Sequence, residues 1–443
     1  GPAGQYPTKK LSIDSPPHRH TGQIHAGSSP RSSWTLSRPL GYGVCTGLAI
    51  SVRRQFGHPP MGTEAVSHCT ADHPATSCER PDCPWCSIRH DATKELQRLF
   101  PSVPGFRPEP KDEKSGKPLQ QVIVESAMKG EHVLGILPTG TGKSLCYQVP
   151  CLSRFQKTGA LTVVISPLVA LMEDQVKGLE NKGHHCVAAI NGLLSMLERR
   201  ETLERIRLGE IGILLIAPEQ LRNRTLRDVL KQREIGAWVF DEAHCVSKWG
   251  HDFRTDYRYV SRYIRDRAGT EPVPPILCLT ATAKPDVVND MTRHFQSQSG
   301  VTLTVFNGGS ERSNLRYEVI RTTQASKFEQ IHELIMERFP AEGTSGVIIY
   351  CASRKTTENI AAFLTDKGLK TGYFHAKLKP DAKKQTQDRF IAGSLRVMAA
   401  TNAFGMGIDK PDVRMVIHAD IPGSLENYLQ EAGRAGRDRK PAE

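Results

Sequence analysis

No apolar run in the 443 residues approaches the ~18 that a membrane-spanning helix needs. No charged-apolar-small pattern opens the chain as a secretory leader would. Aromatic side chains are scarce, at 6%. Cysteine is too irregular for a disulfide framework: the count is eleven, an odd number, and seven of them stand alone. That usage fits reduced intracellular thiols. Membrane-spanning and small secreted classes are set aside. The 38% hydrophobic and 24% charged residues fit a soluble globular protein, and the length is enough for several domains. The chain opens on Gly1 rather than Met, which reads as a fragment or processed product.

Acid is almost missing from residues 1–60. Asp14 stands against Lys9, Lys10, Arg19, Arg31, Arg38, Arg53 and Arg54, so this stretch carries +6 of the net +12. It is also rich in Pro, Gly, Ser and His and shows no sustained period, so the expectation is a disordered basic extension. Such an arm either holds nucleic acid or is a solubilising tail, upstream of a natural start at Met61. Residues 61–104 form a Cys/His-rich segment followed by a short amphipathic helix over Asp91–Phe100. Cys83-Pro-Trp-Cys86 has the spacing that lets two thiolates grip one tetrahedral ion. Cys78 with Cys69 or a histidine could complete a structural zinc site; the alternative is a pair of surface or redox thiols.

From Leu119 onward, short β-branched runs alternate with longer amphipathic stretches: Val133–Leu137, Leu161–Ser166, Ile213–Ala217, Trp238–Phe240 and Ile276–Thr280. After a break near Phe306–Ser313 the alternation resumes at Val347–Tyr350, Gly372–His375, Val397–Thr401 and Val413–His418. This pattern predicts parallel sheets with crossover helices. The expected fold is two tandem α/β domains, over 105–308 and 309–443. The second lacks a phosphate loop of its own.

The first strand runs into Pro138-Thr139-Gly140-Thr141-Gly142-Lys143-Ser144 and then a helix. Glycines let backbone N–H groups turn in around phosphates, Lys143 can reach the β- and γ-phosphates, and the Ser144 hydroxyl can ligate Mg²⁺. About 100 residues on, an apolar strand ends in Asp241-Glu242-Ala243-His244. Paired carboxylates at the end of a buried strand need a cation or donors. Asp241 is the candidate Mg²⁺ holder and Glu242 the candidate activator of the attacking water.

With these motifs the chain resembles the RecQ family of superfamily 2 helicases, over roughly Leu119 to Asp438. Ile165-Ser166-Pro167-Leu168, Ala217-Pro218-Glu219, Leu279-Thr280-Ala281-Thr282-Ala283, Tyr350-Cys351-Ala352-Ser353-Arg354, the run Ala400–Asp409 and Gln430–Asp438 are similar to its motifs Ia to VI. The most discriminating stretch is Cys245–Arg254, with Tyr257 beyond it, which resembles the family's aromatic-rich loop. Trp249 and Phe253 offer flat faces for unpaired bases; His251 lies between them, and Arg254 supplies charge for a phosphate or stacked base. Arg434 and Arg437 lie three apart, which on a helix puts both on one face, able to reach a γ-phosphate held by the first domain.

The resemblance implies RecA-like domains. It further implies ATP and Mg²⁺ at Thr139, Gly140, Thr141, Gly142, Lys143, Ser144, Asp241 and Asp409, with Gln120 reading adenine and Gln121 as its rival. The implied partner is DNA, as single strands and duplex junctions. The implied activity is ATP-driven 3′-to-5′ movement and unwinding in repair or recombination, in a nucleus or a bacterial nucleoid. An ATP-switched binding module and an RNA-dependent ATPase are the other readings. Phe106-Arg107-Pro108 is separated from Gln120 by an insertion, Ser313 stands where the family has Pro, and the zinc-binding module and winged helix usual in the family are not among the 443 residues.

Overall fold

The computed structural model describes residues 86–248, 253–281, 284–309, 312–340, 342–404 and 410–443. The basic extension 1–60 and Cys69, Cys78 and Cys83 lie outside the described residues, as do Trp249, His251, Thr282, Ala283 and Asp409.

The first sheet has seven strands: β1 Val133–Ile136, β2 Leu161–Ile165, β3 Val187–Ile190, β4 Ile213–Ile216, β5 Ile235–Phe240, β6 Ile276–Thr280 and β7 Thr304–Asn307. Their order is β3-β4-β2-β5-β6-β1-β7, and every pairing is parallel. Two apolar clusters sandwich it because side chains alternate along each strand. Trp238 and Phe240 of β5 join one cluster and Val239 the other; Leu134 and Ile136 of β1 are likewise parted from Val133. Burial on both faces accounts for the near-continuous apolar runs in the sequence. The helix Ala92–Leu99, capped by the Asp91 side chain, buries Leu96 and Leu99 in the cluster that also holds Cys146, Val149 and Leu152 of the helix Lys143–Thr158.

The second sheet has four parallel strands: β8 Gly346–Tyr350, β9 Thr371–Phe374, β10 Val397–Ala400 and β11 Val413–His418, in the order β11-β8-β10-β9. It has its own pair of apolar clusters, one on Ile348, Met398 and Phe390, the other on Ile349, Ile360 and Leu364. The α/β expectation therefore holds, with the two edge strands β3 and β7 added to the first sheet. No helix among the described residues is long and apolar enough to cross a membrane.

Strand order positions the site. β2, β5, β6 and β1 are consecutive neighbours, so Ser166, Asp241, Ala281 and the loop at Pro138, each just past its strand, meet at one edge of the sheet. That edge, outside the carboxyl ends of parallel strands, is where open α/β sheets bind ligands.

Candidate nucleotide site and nucleic-acid loop

The loop from Pro138 to Gly142 leaves β1 with one further sheet bond, Leu137 N–H to Thr280 O at 3.0 Å. Gly140 and Gly142 adopt φ of +84° and +81°, the left-handed region that side chains resist. Space is short as well. A Cβ on Gly140 would lie 3.1 Å from Arg437 Cγ, and one on Gly142 would lie 2.9 Å from Gln120 Nε2. Thr141 Oγ1 donates to Pro138 O at 2.6 Å, folding the loop on itself. Lys143 and Ser144 open the helix Lys143–Thr158, whose amino end presents backbone N–H groups and a positive dipole. Ser144 Oγ accepts from Gln175 Nε2 at 3.0 Å, and Gln175 Oε1 in turn accepts from Tyr147 and Gln148.

Gln120 is buried, and both ends of its amide are engaged. Oε1 accepts from Arg107 N–H at 2.9 Å, and Nε2 donates to Gly142 O at 2.7 Å. In this arrangement it joins the Phe106–Pro108 segment to the phosphate loop. Gln121 turns away and donates to Glu125 at 2.8 Å.

Asp241 continues β5, its N–H donating to Ile165 O at 2.9 Å. Burial pushes its carboxyl up to about 7; the Glu242 charge adds to this, and Lys143 opposes it. Glu242 has φ +48°, a strained conformation for a residue with a side chain and one concentrated at functional sites. It is pinned by its own N–H, which donates to Asp241 Oδ1 at 3.0 Å. His244 Nδ1 lies 3.4 Å from Glu242 Oε2 and 3.0 Å from Thr280 Oγ1, tying the acid pair to the end of β6. Sequence reasoning placed Tyr257 with the aromatic loop. It is fully buried, and its hydroxyl donates to Asp241 O at 2.9 Å.

The second sheet sends its arginines to the same place by a different geometry from the helical face expected. The last helix, Leu425–Ala432, ends at Gly433. Arg434 and Arg437 follow in successive turns, marked by Arg434 N–H to Glu431 O at 3.2 Å and Ala435 N–H to Ala432 O at 3.0 Å, while Gly436 N–H ties them to β11 by donating to Val413 O at 2.8 Å. Glycine explains the change: Gly436 takes φ +55°, which a helix does not accommodate. The turns still pack against the phosphate loop. A Cβ on Gly433 would lie 3.0 Å from Thr139 Cβ.

Arg312, between the sheets, went unnoticed in the sequence. Its Nη1 donates to Thr139 O at 2.7 Å and Gly433 O at 3.3 Å, and Nη2 to Ala435 O at 3.1 Å and Gly436 O at 2.7 Å. One guanidinium thus staples the phosphate loop to the turns that carry Arg434 and Arg437. The only sequence signal was its place beside Ser313 and Asn314.

Of the candidate DNA-binding residues Trp249, His251, Phe253 and Arg254, the last two are described. Phe253 is 37% exposed, so it is not a core residue. The stem closes through Arg254 N–H to Cys245 O at 3.0 Å, and Arg254 Nη1 donates to Pro167 O at 3.2 Å, tying the loop to the segment after β2. Cys86, the one described member of the candidate zinc set, is buried at the head of a single helical turn, Cys86–Arg89. Among the described residues no group of three or more His, Cys, Asp or Glu is placed to hold a metal.

Residues 117–291 match the DEAD/DEAH box helicase family and residues 326–439 the helicase conserved C-terminal domain. Solved structures of similar fold include the DUF1998 helicase MrfA bound to DNA and AMPPNP (TM-score 0.61, 19% identity, 80% of this chain and 49% of that one). Another is Mss116p bound to single-stranded RNA and AMP-PNP (TM-score 0.60, 20% identity, 79% and 70%). The two sheets, their loops and these matches define a two-domain helicase core. Its relatives narrow the class. The ATP-dependent DNA helicase RecQ of Bacillus subtilis is 41% identical over 305 residues, 68% of this chain and 48% of that protein. The ATP-dependent helicase SGS1 of Saccharomyces cerevisiae is 38% identical over 364 residues, 81% and 23%. The probable ATP-dependent DNA helicase RecS of Bacillus subtilis is 38% identical over 326 residues, 73% and 62%. The chain belongs to the RecQ family of superfamily 2, and it spans between 23% and 62% of the lengths of these three relatives.

Proposed function

We propose that the chain is the motor of an ATP-dependent DNA helicase, coupling ATP hydrolysis to 3′-to-5′ movement along single-stranded DNA in repair or recombination, in a nucleus or a nucleoid. The observation that carries this reading is the meeting of a glycine phosphate loop, a buried acid pair and a second-sheet arginine at one sheet edge, with Arg437 packed on Gly140.

The residues fit a magnesium nucleotide. Side chains at Gly140 and Gly142 would fill the cradle, and two adjoining carboxylates, one of them buried, call for a cation. Ser144 and Asp241 would hold Mg²⁺, which is commonly bound through one or two protein groups plus phosphates. Bound there, the ion would neutralise charge that develops on the phosphates. Lys143 and the backbone N–H groups of the loop bind and orient the phosphates, and Glu242 takes the proton from the attacking water. Arg437 and Arg434 supply positive charge from the other domain, so hydrolysis requires domain closure. Asp409 would add a second-domain contact. Trp249, His251, Phe253 and Arg254 would hold unpaired bases; Tyr257 ties Arg254 to the acid pair, its N–H donating to Arg254 O at 3.0 Å and its hydroxyl to Asp241 O at 2.9 Å. The zinc set Cys69, Cys78, Cys83 and Cys86 remains a proposal for a structural role.

The test is ATP turnover with and without single-stranded DNA or RNA, comparing the parent with Lys143→Ala and Trp249→Ala. DNA should stimulate the parent strongly. Lys143→Ala should abolish turnover, and Trp249→Ala should leave basal turnover while losing the stimulation. Turnover that ignores DNA, or answers only to RNA, would overturn the reading.

A further inference from the structure

Next to the aromatic loop lies a cavity of about 560 Å³ that shares no residue with the nucleotide site. It sits between the helices Thr255–Ala268 and Pro285–Ser299, with Arg222 at the end of the 3₁₀ turn Pro218–Arg222 completing the wall. Arg258 and Arg262 are four residues apart on one helix, and Asp290 and Arg293 three apart on the other, so each pair shares a helix face. The seam thus gathers Arg222, Arg258, Arg262 and Arg293 around a single carboxylate.

That carboxylate is already engaged. Asp290 Oδ2 accepts from Ser247 Oγ at 2.9 Å, from Lys248 N–H at 2.8 Å and from Arg258 Nη2 at 2.9 Å. Arg222 pairs with Asp256 outside the cavity, at 2.7 Å. Arg262 and Arg293 are exposed and add like charge to a partly enclosed space, an arrangement that a polyanion relieves.

His294 also lines the cavity and is only 6% exposed; burial lowers its pKa to about 4. The cavity adjoins the loop physically. The Arg258 guanidinium lies 5.6 Å from the Phe253 ring centroid, and its Nε donates to Val246 O at 2.8 Å.

We propose that this groove is a second nucleic-acid contact: it holds the phosphodiester backbone of a single strand passing the aromatic loop, with Arg262 and Arg293 on phosphates. The inference rests on the reading that the loop engages single-stranded DNA.

The test measures binding of a fluorescein-labelled single-stranded oligonucleotide across a potassium chloride series. The parent is compared with the double variants Arg262→Ala/Arg293→Ala and Arg262→Lys/Arg293→Lys. Inorganic phosphate and tripolyphosphate are titrated separately against each. Removing two phosphate contacts should reduce the slope of log K on log salt by about 1.4, at ~0.7 per contact for single strands. Affinity at low salt should fall about tenfold. The lysine variant should keep most of the slope, and DNA-free ATP turnover and melting temperature should match the parent in both. Equal affinity and slope in parent and alanine variant would overturn the groove. So would phosphate or tripolyphosphate binding that the alanine variant loses while its DNA binding stays unchanged, since the site would then serve free anions. A parent that binds no single strand is a separate result and overturns the proposed function itself.

Discussion

The first sheet brings loops from four neighbouring strands, β2, β5, β6 and β1, to one edge, and there it builds a phosphate loop and a buried acid pair. The second sheet has four strands and, among the described residues, meets that edge through the turns after its last helix, which carry Arg434 and Arg437. On the proposed function, the first domain holds the nucleotide and the second senses that it is there. The asymmetry makes the contact between them conditional. The first sheet's groups are fixed by strand packing, whereas the second sheet's arrive on glycine-rich turns braced by Arg312.

Single substitutions can break this division of roles. Lys143→Ala should cause the largest loss, removing both nucleotide affinity and detectable turnover, as read by equilibrium nucleotide binding and phosphate release. Arg437→Ala should lower kcat by about 10³, within the range for arginine fingers, while nucleotide affinity changes far less. If both variants lost affinity equally, the second domain would be part of the holding site and the contrast would fail. Glu242→Gln should lower kcat by about 10² or more, with affinity kept. Arg312→Lys keeps the charge but cannot reach four carbonyls in a planar fork. It should cost turnover about tenfold, at constant affinity, by loosening domain closure.

The smallest effect concerns acid stability. His294 has a folded-state pKa of about 4 against an ordinary 6.5, so the unfolded chain binds its proton first as the pH falls. Stability is therefore intact above 6.5 and declines down to about 4. His294→Gln should flatten that decline by a few degrees of melting temperature. His90, lowered to about 4 as well, sustains part of the slope.

The strands that surround the site were legible because they are buried on both faces and spell β-branched runs. β7 was not: three of its four residues are exposed at the sheet edge, leaving no apolar signature. β3 was hidden by the two alanines at its centre and by His184 and His185 just before it. The phosphate loop and acid pair could be read from sequence because their chemistry is local, confined to a few consecutive residues. Arg434 and Arg437 were placed in the right neighbourhood on the wrong backbone, since a three-residue spacing fits a helix as well as a turn series and only Gly433 and Gly436 decide between them. Arg312, Tyr257 and the arginine groove were hidden for another reason. Each acts across more than one element, so its role exists only after the chain has folded.

The four oxygens that Arg312 grips between the sheets are all main-chain carbonyls. It therefore recognises the path of the backbone and is indifferent to which side chains decorate it. Positions around the joint are free to drift in sequence as long as the turns keep their shape, while the arginine itself is not. A substitution that bends the backbone at Gly433 or Gly436 should disable the joint as fully as loss of the guanidinium, with every charge still in place.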